Sequence, residues 1–282
     1  ETMTYDIIVL GSGPAGLAAA VAARGRDKNV LVVGNRWQDS PLARAERVDN
    51  YPGLPGRTGF ELMEEFVRHA QALDVAFVVG RALSLLAWNG FSVTVGSQVY
   101  QGRALILAPG VVRAAKYPGE AEYLGRGVSY CATCDGMLYR NKPVVVVGLA
   151  PDAPSEANYL KSLGCQVTYV SPHEPEGLED IPWIKAGRLA VKGEQNVTGL
   201  EADGSPLPCS GIFILRRAVA PTDLLPALET EEGVIQVDRG MATNLPGVFA
   251  AGDCTGGPLQ VSKAVGEGHV AALSACAYLD AL

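Results

Sequence analysis

The chain has 282 residues, enough for one large domain or two ordinary ones. Its formal charge of −7 argues against a nucleic-acid partner, because phosphate binding needs clustered Lys and Arg. No apolar run reaches the roughly 18 residues of a membrane span, and the first strand leaves no room for a signal peptide, so no membrane partner and a cytoplasmic setting are expected. There the six cysteines serve as thiols, ligands or redox centres rather than structural staples.

In chain order, Tyr5–Leu10 is a short β-rich run, Leu17–Arg24 an Ala-rich helix and Asn29–Val33 the next strand. Phe60, Met63, Phe66, Val67 and Ala70 give Gly59–Leu73 helical spacing, and residues 75–100 read as several short strands. Ala104–Ala108 is another strand. A second βαβ unit opens at Pro143–Gly148 and continues through the helix Ser155–Leu163 and the strand Gln166–Val170. Gly247–Asp253 and the helix Ser262–Leu279 close the chain. The predicted fold is α/β, with two three-layer, Rossmann-like nucleotide-binding domains, the second inserted into the first. Residues 1–114 and 242–282 would form one domain and 115–241 the other, with junctions near Ala114–Pro118 and Met241–Pro246.

Gly11-Ser12-Gly13-Pro14-Ala15-Gly16 directly follows a strand and opens a helix, which is the context a dinucleotide-binding loop requires. Gly11 permits the turn, Gly13 lets the backbone approach a pyrophosphate, and Gly16 allows close helix–strand packing, with phosphates on the helix N-terminus. No acidic residue follows the second strand; Gly34-Asn35-Arg36 stands there, leaving Asn35 to meet a ribose with Arg36 beside it. This pattern specifies a dinucleotide without saying which.

Cys131-Ala132-Thr133-Cys134-Asp135-Gly136 is the chemical centre. Cys165, Cys209, Cys254 and Cys276 are scattered singly, so a four-cysteine metal site lacks its second half and a redox pair is the better reading. A thiolate at a helix start has a lowered pKa. Asp135 reads as a candidate acid/base that moves the exchanged proton and also as a helix N-cap, and the two roles do not exclude each other.

These residues, with Asp49-Asn50-Tyr51-Pro52-Gly53 and Pro246-Gly-Val-Phe-Ala-Ala-Gly-Asp253, resemble the low-molecular-weight, two-domain thioredoxin reductases nearly end to end. The resemblance implies FAD in the first domain, with Asn50 near the isoalloxazine, Asp253 at the ribityl or pyrophosphate region, and Gln260 and Val261 near the pyrimidine end. It also implies a redox pair carried on the inserted domain, a homodimer, and a protein disulfide such as thioredoxin as substrate.

The departures bear on the electron donor. In this family the second glycine loop binds NADPH and a His-Arg-Arg cluster follows. Here the loop is Gly148-Leu149-Ala150-Pro151-Asp152-Ala153, and Ser171-Pro172-His173-Glu174-Pro175-Glu176 contains no Arg. Ala150 puts a methyl where a pyrophosphate would approach, and Pro151 has no N–H to donate. Two lost Arg contacts cost about 3–6 kcal/mol, roughly a hundredfold to ten-thousandfold in affinity. The helix expected before Trp183 is also missing. NADPH is therefore not the expected donor, and the pattern resembles ferredoxin-dependent flavin thioredoxin reductases or diflavin-linked disulfide oxidoreductases. A ferredoxin near −400 mV lies about 130 mV below a thioredoxin disulfide, which is about 6 kcal/mol downhill for two electrons.

In the flavin domain, Asp39-Ser40-Pro41-Leu42 replaces Gly-Gly-Gln-Leu, and Ala108-Pro109-Gly110 replaces Ala-Thr-Gly, with Ala108 and Gly110 still expected against the cofactor. Trp37 and Tyr51 read as packing aromatics, His269 as a helix-packing histidine and Cys254 as a small buried hydrophobe. Rival readings are a small-molecule dithiol oxidase that uses oxygen and, from a different class, a flavin-bound redox sensor or scaffold.

Overall fold

A computed structural model describes residues 3–111 and 115–282. They fall into two compact units, residues 3–111 with 218–282, and residues 115–217.

The first unit opens with β1 (Met3–Leu10), α1 (Pro14–Arg24), β2 (Val30–Gly34), α2 (Gly59–Ala72), β3 (Ala76–Val79), β4 (Ala82–Ala87), β5 (Phe91–Val95) and β6 (Gln98–Leu107). β1 lies between β2 and β6, parallel to both, and β3 extends the parallel set beyond β2. Strands covered on both faces read as unbroken apolar runs, and β1 alternates between two cores accordingly. Ile7 and Val9 pack with α1 and α2 residues, whereas Ile8 and Leu10 pack with Leu85, Phe91 and Val93. α2 starts at a capping box: the Glu61 N–H donates to Thr58 Oγ1 at 3.1 Å and the Thr58 N–H to Glu61 Oε2 at 2.8 Å.

The second unit comprises β7 (Val128–Ser129), α3 (Ala132–Asp135), β8 (Pro143–Gly148), α4 (Ala153–Ser162), β9 (Gln166–Ser171), β10 (Trp183–Lys185), β11 (Leu189–Gly193), β12 (Val197–Ala202), β13 (Ser205–Pro208) and β14 (Gly211–Leu215). Its main sheet runs β10-β9-β8-β14-β7, parallel throughout. On β8, Val144 and Val146 face a core shared with α4, while Val145 and Val147 face the one shared with the antiparallel β11–β12–β13 layer. Residues 172–182 hold no helix, as the sequence indicates.

The chain then returns through α5 (Pro221–Leu224), β15 (Thr230–Glu231), β16 (Val234–Ile235), β17 (Val248–Ala250) and α6 (Val261–Asp280). β17 pairs with the second half of β6 and completes the parallel sheet. The return comes at Ala218, earlier than the expected 242, because Leu224, Leu225, Leu228 and Ile235 join the core of the first unit. The expected junction at Met241–Pro246 lies inside that unit, where Met241 O accepts the Ala250 N–H. The other, Ala114–Pro118, falls partly outside the described residues. Among the described residues no helix is long and apolar enough to cross a membrane.

Candidate active site: a glycine cradle and a redox disulfide

In the first unit, the turn after β1 is shaped by close approaches that only glycine permits. Gly11 has φ 133°, and a Cβ there would meet Ala108 O at 2.0 Å; one on Gly16 would meet Gly11 O at 1.9 Å. Gly13, by contrast, faces open space, with nothing within 4 Å of a built Cβ. An open glycine at the start of an 11-residue helix, whose first-turn N–H groups lack intrahelical partners, fits a pyrophosphate. Pro14 takes the first helical position, where its missing N–H costs nothing.

The other expected cofactor residues gather in this unit. Ser12 Oγ donates to Asn35 O at 2.7 Å, which ties the glycine loop to the end of β2; Asn35 and Arg36 are exposed there. Ala108 N–H donates to Leu10 O, and Gly110 sits at φ 71° just beyond β6. Asn50 and Gln260, 210 positions apart, are joined by a 2.7 Å hydrogen bond, with Val261 opening α6 beside Gln260. Asp253 follows Gly252, where a Cβ would meet Ala15 Cβ at 2.8 Å, so this segment lies against the start of α1. Burial raises the Asp253 carboxyl above its ordinary pKa, Lys263 lowers it and Glu267 raises it further, leaving it up on balance.

In the second unit, Cys131 and Cys134 form a disulfide with Cα atoms 5.3 Å apart. Cys131 is buried and Cys134 exposed. Cys131 caps α3: its Sγ accepts the Cys134 N–H at 3.0 Å. The preceding chain is held by Ser129, whose buried hydroxyl accepts the Cys131 N–H at 3.1 Å and donates to Cys131 O at 3.2 Å. The Ala132 N–H reaches Glu156 Oε2 of α4 at 3.4 Å. Asp135 ends α3, half-buried, and makes no side-chain cap, so the capping role falls away.

All four remaining cysteines are buried. Burial pushes Cys209 up to about 11 and Cys254 up to about 12, and it raises Cys165 and Cys276 as well. A thiol with a pKa of 11 is about one part in ten thousand thiolate at pH 7, so burial makes these four cysteines poor candidates for thiol exchange. After mild reduction of the native protein, alkylation should label these two cysteines within minutes and the other four only after unfolding. Native labelling of Cys209 or Cys254 at a comparable rate would contradict this.

Two polar clusters escape a reading of the sequence. Glu120, fully buried, accepts from Arg216 at 2.5 and 2.7 Å, from Tyr130 Oη at 2.8 Å and from the Tyr117 N–H at 2.8 Å. Burial alone would raise its pKa, but the Arg216, Tyr117 and Tyr130 hydrogen bonds outweigh it and leave the carboxyl below its ordinary value of 4.5. The partners are 96 positions apart, so no local signal marks them. A carboxylate with a depressed folded pKa stabilises the protein above pH 4.5 and loses that contribution as pH falls through the folded value. Glu120→Gln should therefore lose about 3 kcal/mol at pH 7 in urea unfolding, a gap that narrows below pH 4.5. A gap unchanged by acid would refute the assignment.

The second cluster is Lys263 and Glu267 on α6; apart from the terminal Asp280, they are the only Lys, Arg, Asp or Glu of that helix, a faint cue in the sequence. His269, expected to pack, is exposed. Trp37 packs on Phe60 at 4.9 Å and Tyr51 on Phe66 at 5.6 Å, as expected of packing aromatics.

The second unit's own glycine loop differs from the first. A Cβ on Gly148 would meet Tyr169 Oη at 1.8 Å, so that buried phenol packs directly against the first glycine of the loop. Burial holds the Tyr169 hydroxyl up at about 12. At the end of β9, Ser171 Oγ accepts the Trp183 indole N–H at 2.9 Å and donates to His173 O at 2.6 Å.

A glycine cradle on one Rossmann-like unit and a CxxC disulfide on another define a dinucleotide-dependent disulfide oxidoreductase, and comparison with known proteins agrees. The pyridine nucleotide-disulphide oxidoreductase profile matches residues 5–175 and 184–268, and the chain belongs to that family. Within it, the chain is a thioredoxin-reductase-like, flavin-dependent enzyme, FAD being the flavin the family implies. It is 33% identical to thioredoxin reductase of Listeria innocua, over 100% of this chain and 96% of that one. A ferredoxin-flavin thioredoxin reductase from Clostridium acetobutylicum superposes with a TM-score of 0.91 at 39% identity, covering 100% of both chains. A thioredoxin reductase from Gloeobacter violaceus gives 0.82 at 34% identity, covering 99% of this chain and 95% of that one.

Proposed function

We propose that this enzyme reduces a protein disulfide of the thioredoxin type with electrons from a one-electron carrier such as ferredoxin, and not from NADPH. The observation that supports this reading is the altered second nucleotide loop. Ala150 puts a methyl where the first loop has the open Gly13, Pro151 has no N–H for a phosphate, and residues 171–176 offer no Arg to a 2′-phosphate. The likeness to the ferredoxin-flavin enzyme points the same way.

In the first unit, Gly11–Gly16 would receive the pyrophosphate of FAD, Asn35 with Arg36 its ribose edge, and Asp253 the ribityl side. Asn50, Ala108, Gly110, Gln260 and Val261 would line the ring. When bound, FAD collects single electrons and delivers them in pairs. The protein's own part begins at Cys131–Cys134. Breaking that bond takes two electrons and two protons and yields two thiols. A thiolate of the pair then attacks the partner's disulfide and forms a mixed disulfide; the second sulfur resolves it and releases a dithiol partner. Asp135, beside Cys134, would carry the proton that each exchange sheds or takes up. Ser129 keeps Cys131 in place throughout.

The test is anaerobic reconstitution. Photoreduced ferredoxin plus enzyme should convert thioredoxin disulfide to thiols, with the two cysteines required. Flavin released on denaturation should be about one per chain; two per chain would favour a second flavin as relay. Peroxide formed from a small dithiol in air, with thioredoxin left oxidised, would make the protein a dithiol oxidase instead.

A further inference from the structure

Lys263 and Glu267 lie one turn apart on α6, and both reach the segment Gly252–Gly256. Lys263 Nζ donates to Gly252 O at 2.9 Å, Gly256 O at 2.6 Å and Thr255 Oγ1 at 3.0 Å, and it pairs with Glu267 Oε2 at 3.0 Å. The same Glu267 oxygen accepts the Gly252 N–H at 2.9 Å and the Thr255 hydroxyl at 2.8 Å. The two side chains are 16% and 20% exposed, so the pair is largely withdrawn from water. Gly252 and Gly256, at φ 88° and 102°, mark the ends of the segment in a backbone region that few other residues adopt. Between them stands Asp253. The clamp also sits at the glycine loop: besides the Gly252–Ala15 approach, a Cβ on Gly268 of α6 would meet Ala15 O at 2.1 Å.

A withdrawn ion pair often contributes little net stability against an apolar substitute of the same size. This one instead spends its donors and acceptors on both ends of a five-residue segment. We infer that Lys263 and Glu267 are positioning residues for the flavin, acting through the Gly252–Gly256 segment to hold Asp253 toward the cradle. The inference rests on the assignment of that cradle to FAD.

The test is FAD affinity of the apoprotein, measured by flavin fluorescence, beside hydrogen exchange of residues 252–256 without flavin. Lys263→Met should raise Kd about tenfold to a hundredfold and speed exchange across that segment. Lys263→Arg, which restores a cation with several donors, should recover most of the affinity. A general packing defect would not be rescued in that way. Should Lys263→Met fail to fold, Glu267→Gln decides, since it keeps shape and loses only charge; a Kd raised at least threefold is expected. Wild-type affinity in Lys263→Met, or in Glu267→Gln, overturns the inference alone. Wild-type apoprotein that refuses FAD overturns the cradle assignment, and the inference with it.

Discussion

Replacing either Cys131 or Cys134 by serine should abolish reduction of a protein disulfide, by at least about 10,000-fold, while leaving bound flavin and the fold unchanged. The reasoning is chemical. A single thiol cannot take up an electron pair as a disulfide does, nor can it resolve a mixed disulfide with its partner. The other cysteines are poor substitutes, because Cys165, Cys209, Cys254 and Cys276 are all buried and burial disfavours their thiolates. Each serine variant should still show the visible flavin spectrum, since the cradle lies on the other unit. Steady turnover by either variant would show that electrons leave by a different route.

The second large effect concerns the donor. Millimolar NADPH under argon should leave the visible flavin band of the wild-type enzyme intact, whereas photoreduced ferredoxin should bleach it within seconds. Three features oppose the dinucleotide independently. Residues 171–176, at the end of β9, offer no Arg to the 2′-phosphate, and each missing charged contact costs about 1.5–3 kcal/mol. Pro151 withdraws a backbone donor, and Ala150 puts a methyl where the first loop has the open Gly13. Because the obstacles are separate, Ala150→Gly alone should not restore NADPH use. Bleaching by micromolar NADPH would contradict the donor reading and leave the disulfide chemistry untouched.

The glycine loop and the cysteine pair stand out in the sequence because each rests on local pattern. A glycine loop between strand and helix and two cysteines three apart are contiguous, and the backbone geometry they need is set by the residues themselves. Gly11, Gly13 and Gly16 behave as expected of them, two filling close approaches and one left open. The boundary at Ala218 was not legible. The stretch after it holds only a four-residue helix and two-residue strands, and nothing local tells Leu224 or Ile235 which core to join. The Glu120–Arg216 and Lys263–Glu267 clusters escaped for a related reason. Their partners are backbone carbonyls, or residues far away in the chain, brought together only by the finished fold. The second loop was half legible: Ala150, Pro151 and the missing Arg residues stand in the sequence, but the phenol packed against Gly148 requires the sheet to be built first.

The most direct measurement is the electron capacity of the anaerobic protein. Stepwise photoreduction should take up about four electrons per chain, two for the flavin and two for the disulfide, with Cys131 and Cys134 appearing as free thiols at the end point. Uptake that stops at two electrons with the disulfide intact would mean that flavin and sulfur are not in electronic exchange, and the account would fail there.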